Sequence, residues 1–270
     1  MRALVEVDVP VDRAAVVGGK RPERDLLTQP RTSLAVLLVH GYASSDRVWR
    51  PLARRLQAGG VTDIRTFSYD SEDIDLVDLA ASVAAEVRHH DEQAAAPPPL
   101  HLVGHSLGGL LIRYAVCEFG LSDRVHAVTT LGSPHRGSPA PAAGAQLGRD
   151  LRPGSALLRR LDARPLPDGI RWTAFHSDRD EVIPPSHAVL PVPRGIGGAR
   201  PASVRNIALY GVRHLALPAV REVADHLLAD AQELAIPGTF PNASRRGRLW
   251  LRRASISPSP ELRCRLYLQR

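Results

Sequence analysis

A serine, an acid and a histidine can together cleave an acyl bond, and this chain places each beside a strong turn signal. The serine is Ser106, in Gly104-His105-Ser106-Leu107-Gly108. An apolar run, Leu100-His101-Leu102-Val103, precedes it, and a helical pattern from Leu107 to Phe119 follows. Strand, G-x-S-x-G, helix is the setting of a nucleophile elbow. Such a turn is sharp enough to strain the backbone of its central residue. It leaves no room for side chains at Gly104 and Gly108, and it lifts Ser106 Oγ above the carboxyl end of a sheet.

A hydroxyl is a poor nucleophile at neutral pH. It needs a base within hydrogen-bond reach, and the base needs an orienting acid. Where an elbow tops a parallel sheet, the acid and then the base follow at the carboxyl ends of later strands. The strand candidate Arg171–His176 runs into Ser177-Asp178-Arg179-Asp180-Glu181-Val182-Ile183-Pro184. Asp180 is the expected acid, because the apolar Val-Ile-Pro step after it would anchor the loop and aim that carboxylate inward. Asp178 and Glu181 compete with it. The strand candidate Ser203–Tyr210 runs into Gly211-Val212-Arg213-His214, which makes His214 the expected base. His187 comes too soon after Asp180, and His226 lies inside the final helix. His89, His90, His101 and His126 read as structural or exposed. The charge that grows on the carbonyl oxygen needs backbone donors, each worth on the order of 3 kcal/mol. The N–H of Leu107, at a helix start, is one candidate. The N–H of Tyr42, in His40-Gly41-Tyr42 after an early strand, is the other.

The elements that must carry these residues are legible as alternating patterns. Leu34–Val39 is a continuous apolar run, as expected of a strand buried on both faces. A helix with Asp46 as N-cap and Val48, Leu52 and Leu56 on one face is expected next, stopped by Gly59-Gly60. Ile64–Tyr69 reads as a strand. Asp75 to Ala95 carries Leu76, Leu79, Ala80, Val83 and Val87 at amphipathic helical spacing. Val125–Leu131 is another strand, and residues 215–235 form a last amphipathic helix with Leu217, Val220, Ala224, Leu227 and Leu228 inward. The alternation predicts an α/β fold, a doubly wound, mostly parallel sheet with helices on both faces. A short strand at Leu4–Val9 is a further candidate. The Gly-, Pro- and Ala-rich stretch 133–170 is too long for a plain connection. A small cap or lid is expected there, with a short helix around Ala156–Leu161.

These residues give the chain a marked likeness. It resembles an α/β-hydrolase of the bacterial serine lipase/esterase kind. The likeness rests on His40-Gly41-Tyr42, Gly104-His105-Ser106-Leu107-Gly108-Gly109, Thr130-Leu131-Gly132-Ser133-Pro134-His135-Arg136-Gly137, Asp180-Glu181-Val182-Ile183-Pro184 and Gly211-Val212-Arg213-His214, in the family's order. The Leu131–Gly137 step is similar to one in triacylglycerol lipases. The resemblance implies cleavage of carboxylic esters through an acyl-enzyme on Ser106, with a small-molecule acyl ester or lipid as substrate. Epoxide hydrolases and dehalogenases would carry Asp in place of Ser106. An acyltransferase or thioesterase using the same triad is the alternative. A non-catalytic binding protein of the same fold is another, disfavoured because binding does not require this triad.

Composition narrows the remaining classes. The 270 residues suit one large α/β domain over 34–235, with an N-terminal extension at 1–33 and a C-terminal tail at 236–270. The net charge is +7. Residues 245–270 hold eight arginines and one acid, Glu261, which accounts for all of it. The rest of the chain is balanced, so a nucleic-acid partner is not expected. In the tail, Arg245-Arg246-Gly247-Arg248-Leu249-Trp250-Leu251-Arg252-Arg253 has the composition of a weak contact with an anionic membrane surface. A flexible extension without that role is the plainer expectation. The two cysteines, Cys117 and Cys264, do not suggest a disulfide framework. The first thirty residues lack an apolar signal core, which predicts a cytoplasmic protein unless the natural chain starts elsewhere. The expected chemistry uses no cofactor and no metal, and no cluster with metal-ligand spacing is present in the sequence.

Overall fold

The structure is a computed structural model describing residues 32–71, 75–92, 97–139, 145–191 and 203–235. The candidate strand at Leu4–Val9, the N-terminal extension before residue 32 and the basic tail lie outside the described residues. Among the described residues six strands form one sheet: β1 (Thr32–Val39), β2 (Val61–Phe67), β3 (Leu100–His105), β4 (Val125–Leu131), β5 (Arg171–Ser177) and β6 (Ser203–Leu209). The order is β2-β1-β3-β4-β5-β6, and every pairing is parallel. Val39 lies opposite Gly104, His105 opposite Leu131, Leu131 opposite Phe175 and Ser177 opposite Leu209. The carboxyl ends of the four strands from β3 to β6, and of β1 beside them, therefore share one rim.

The apolar run of β1 is explained by two cores. Leu34, Val36 and Leu38 enter one cluster, while Ala35, Leu37 and Val39 enter the other. Alternate side chains of a strand face opposite sides, so a strand covered on both sides must be apolar throughout. Helices α1 (Arg50–Ala58) and α6 (Arg221–Ala235) cover one face. Helices α2 (Leu76–Glu92) and α3 (Leu107–Glu118) cover the other. Each buried Leu or Val contributes about 1.5–3 kcal/mol of hydrophobic stabilisation.

Three elements depart from the sequence reading, each for a local reason. Asp46 is not the N-cap of α1. It opens a 3-10 turn, Asp46–Trp49, preceded by Ser45, and α1 begins at Arg50. Pro51 lacks an N–H and fits only a first helical turn, which fixes where the regular helix starts. The last helix is split into a 3-10 segment, His214–Ala219, and α6, with Pro218 inside the first piece and Val220 extended between them. Strand β2 begins and ends earlier than expected, at Val61 and Phe67. Tyr69 has left the ladder to bond His40. The stretch after β4 carries two short helices, α4 (Ala145–Asp150) and α5 (Ala156–Asp162). Leu147, Leu151, Leu158 and Leu161 from this stretch are buried in the same core as α3.

Candidate active site

Ser106 sits between β3 and α3 with φ 53° and ψ −124°. Only glycine adopts that region freely, so the residue stores roughly 1–3 kcal/mol of strain. The surroundings hold it there. Its N–H donates to Leu131 O at 2.8 Å. A Cβ on Gly104 would stand 2.4 Å from Gly109 Cα, and one on Gly108 would stand 2.2 Å from Val39 O. These contacts are with backbone, which cannot turn aside. The N–H of Leu107 opens α3, where a helix leaves its first donors unpaired and its dipole is positive.

The loop after β1 presses against the same turn. A Cβ on Gly41 would lie 2.9 Å from Ser106 Cβ. His40 shapes this loop. Its Nδ1–H donates to Gly41 O at 2.8 Å, and its Nε2 accepts the Tyr69 N–H at 3.3 Å. The Tyr69 hydroxyl donates to His40 O at 3.0 Å, and the two rings stack 4.3 Å apart. Burial lowers the His40 pKa, against smaller upward pulls from the Gly41 bond and Asp46. The next residues are Tyr42, whose N–H bonds no backbone carbonyl among the described residues, and Ala43, at φ 48°.

His214 and Asp180 meet directly. His214 Nδ1–H donates to Asp180 Oδ2 at 2.8 Å, and both side chains are buried. Asp180 Oδ1 accepts the N–H groups of Val182 and Ile183 at 2.9 and 2.8 Å. Burial alone would raise the Asp180 carboxyl. The bonds from His214, Ile183 and Val182 outweigh it, and the net shift is downward. Gly132, at φ 55°, backs the pair, since a Cβ there would fall 2.8 Å from Asp180 Oδ2 and 3.2 Å from His214 Nδ1. The competing acids have other tasks. Asp178 Oδ1 accepts the Gly211 N–H at 2.7 Å, and Glu181 Oε2 accepts the His214 N–H at 3.2 Å. Ser177 Oγ donates to Val212 O at 2.7 Å, which fastens the end of β5 to the loop that carries His214.

The five sequence-predicted residues therefore share the carboxyl rim, and Asp180 with His214 form a bonded pair. No direct hydrogen bond joins Ser106 Oγ to His214 among the described residues. The link runs through His105, whose Nε2 lies 3.1 Å from His214 O. Catalytic bonds are often long or open before substrate arrives. The sequence reading passed over His105, Gly132, Ser177 and Tyr69. Gly132 and His105 lay within the quoted motifs, but their partners are distant in sequence. Cys117 is half-buried, and its thiol is pushed up to about 11 by burial, which keeps it protonated. Among the described residues no group of three His, Cys, Asp or Glu side chains is arranged to hold a metal ion, and no helix is long and apolar enough to cross a membrane.

Residues 35–176 match the family described as alpha/beta hydrolase fold. A triacylglycerol lipase of Pseudarthrobacter phenanthrenivorans is 31% identical over 121 residues, which cover 41% of this chain and 36% of the relative. The match thus spans about a third of that curated relative. Among solved structures, Bacillus licheniformis lipase BlEst2 in its mature form superposes with a TM-score of 0.60 at 19% identity, covering 74% of this chain and 93% of the other. Phospholipase PlaB from Legionella pneumophila superposes with a TM-score of 0.56 at 14% identity, covering 74% and 63%.

Proposed function

The chain belongs to the α/β-hydrolase fold family, and we propose that it is a serine hydrolase of carboxylic esters, of the lipase or esterase kind. The observation that carries this reading is the buried Asp180–His214 pair at 2.8 Å on the same rim as the strained Ser106. Asp180 holds Nδ1–H of His214, so Nε2 is the nitrogen left to accept a proton. Ser106 Oγ attacks the ester carbonyl carbon while His214 Nε2 takes the hydroxyl proton. The N–H groups of Leu107 and Tyr42 hold the oxyanion. His214 returns the proton to the departing alcohol, and water activated by the same nitrogen releases the acid. An apolar acyl group suits the rim. Tyr42, Val182, Tyr210 and Leu215 are exposed large apolar side chains on the segments that follow β1, β5 and β6. The lipase relative points to the same substrate class.

Hydrolysis of p-nitrophenyl esters from acetate to palmitate, with Ser106→Ala beside the native protein, tests the reading. The expected result is a fall in kcat of roughly four to six orders of magnitude in the variant. Equal activity in both proteins would refute Ser106 as nucleophile. Acyl transfer to an added alcohol in preference to water would move the reading to an acyltransferase.

A further inference from the structure

His105 ends β3, next to Ser106, and the chemistry above leaves its ring without a task. The ring is buried. Its Nε2 faces the carbonyl oxygen of His214 at 3.1 Å, and a carbonyl only accepts, so Nε2 carries the proton. Its Nδ1 is buried without a hydrogen-bond partner. Burial, with His214 adding to it, lowers the His105 pKa to about 3, which keeps the ring neutral. A charged ring here would oppose the imidazolium that His214 becomes during turnover. The His105 and His214 rings pack with centroids 4.7 Å apart, and Trp49 meets His105 edge-on.

Three bonds to residues distant in sequence hold His214, and they differ in origin. Its N–H rests on Glu181, an exposed carboxylate. Its Nδ1–H rests on Asp180, which sets the ring's direction. Its carbonyl rests on His105, the one anchor that belongs to the nucleophile's own segment. We propose that His105 is a positioning residue that registers the base to the nucleophile: its Nε2–H grips the His214 carbonyl and its ring is the wall that fixes the imidazole over Ser106. The proposal rests on the reading of Ser106 and His214 as nucleophile and base. A displacement of about 1 Å between reacting groups costs about a hundredfold in rate, which is the scale of what the clamp protects.

The test uses the full chain and three substitutions. His105→Leu removes the donor and keeps apolar bulk. His105→Gln restores an N–H donor where Nε2 stands, and His105→Asn carries one that falls short. The readouts are kcat and KM on p-nitrophenyl butyrate, thermal stability, and the low-field proton resonance of His214 Nδ1–H. The Leu and Asn variants are expected to lose about tenfold to a hundredfold in kcat with KM within about twofold, and to lose or broaden the low-field proton. The Gln variant should recover most of both. A Leu variant with native kcat and a sharp low-field proton would overturn the proposal, as would equal losses in Gln and Asn. If Leu fails to fold, the Gln–Asn pair decides, since the two are alike in polarity and differ in reach. A native protein inactive on every ester would sink the proposed function instead, and the proton resonance would still decide the clamp.

Discussion

Asp180 gives each carboxylate oxygen a separate partner: Oδ2 meets His214, and Oδ1 takes two backbone N–H groups of its own loop. That geometry forbids the carboxylate from turning, which is what an orienting acid requires. Asp180→Asn is expected to lower kcat about ten-thousandfold, because an amide N–H turned toward His214 selects the wrong tautomer. Asp178→Asn should leave kcat within about twofold, since its carboxylate only holds the Gly211 N–H at the surface. Ester hydrolysis by the two purified variants checks both. The sequence singled out Asp180, the acid of the proposed mechanism, through the apolar step behind it, and buried Ile183, whose N–H bonds Oδ1, is the physical content of that step. It could not point to His105, whose partner is a backbone carbonyl 109 residues away. A carbonyl belongs to every residue and leaves no mark on the sequence.

At the scale of elements, α3 hides a charge that its pattern does not announce. Arg113 lies in the middle of a helix buried on nearly every side, and it is itself fully buried. Its guanidinium donates to His135 O at 3.3 Å, to Leu161 O at 3.5 Å and to Asp162 Oδ1 at 2.9 Å. It thereby ties the elbow helix to the segment after β4 and to the end of α5. An arginine within a helix ordinarily reads as its solvent face, so tertiary packing alone reveals this role. Arg113→Leu strands the His135 carbonyl, while Leu161 O keeps the Arg164 N–H at 3.3 Å and the half-exposed Asp162 carboxylate stays solvated. The expected destabilisation is about 2–3 kcal/mol, below the loss typical of a wholly buried pair. Denaturant unfolding measures it, and hydrogen exchange should show residues 156–162 losing protection first. Strands and most helices were readable because periodicity is local. The start of α1 and the break at Pro218 were not, because prolines override the pattern over a single turn.

For the whole molecule, the alternation of strands and helices predicted the doubly wound sheet, and the tail's arginines explained the net charge. What composition conceals is how many histidines the fold keeps neutral. His101 bonds Thr129 Oγ1, and His135 bonds Thr130 Oγ1, each at 2.9 Å inside the sheet region. Burial lowers the pKa of both, and of His105. In the unfolded chain these rings take protons near pH 6.5. The unfolded state therefore binds more protons below that pH, and stability falls as pH falls. Each ring contributes a slope of about 1.4 kcal/mol per pH unit, roughly 4 for the three, beginning before any carboxylate titrates. Denaturant unfolding at pH 7.5 and 5.5 should show this loss; equal stability at the two values would mean that these rings take up protons alike in the folded and unfolded chains.

The sheet order from β3 to β6 repeats the order of synthesis. Ser106 leaves the ribosome on the third strand, Asp180 follows the fifth and His214 the sixth. At the usual pace of translation, the hundred or so residues between serine and histidine take about 5–20 s to make. For that interval the serine hydroxyl lacks His214, the base proposed for it and the proposed partner of His105. Under the proposed mechanism, the nascent chain is chemically silent, and reactivity is the last property it acquires.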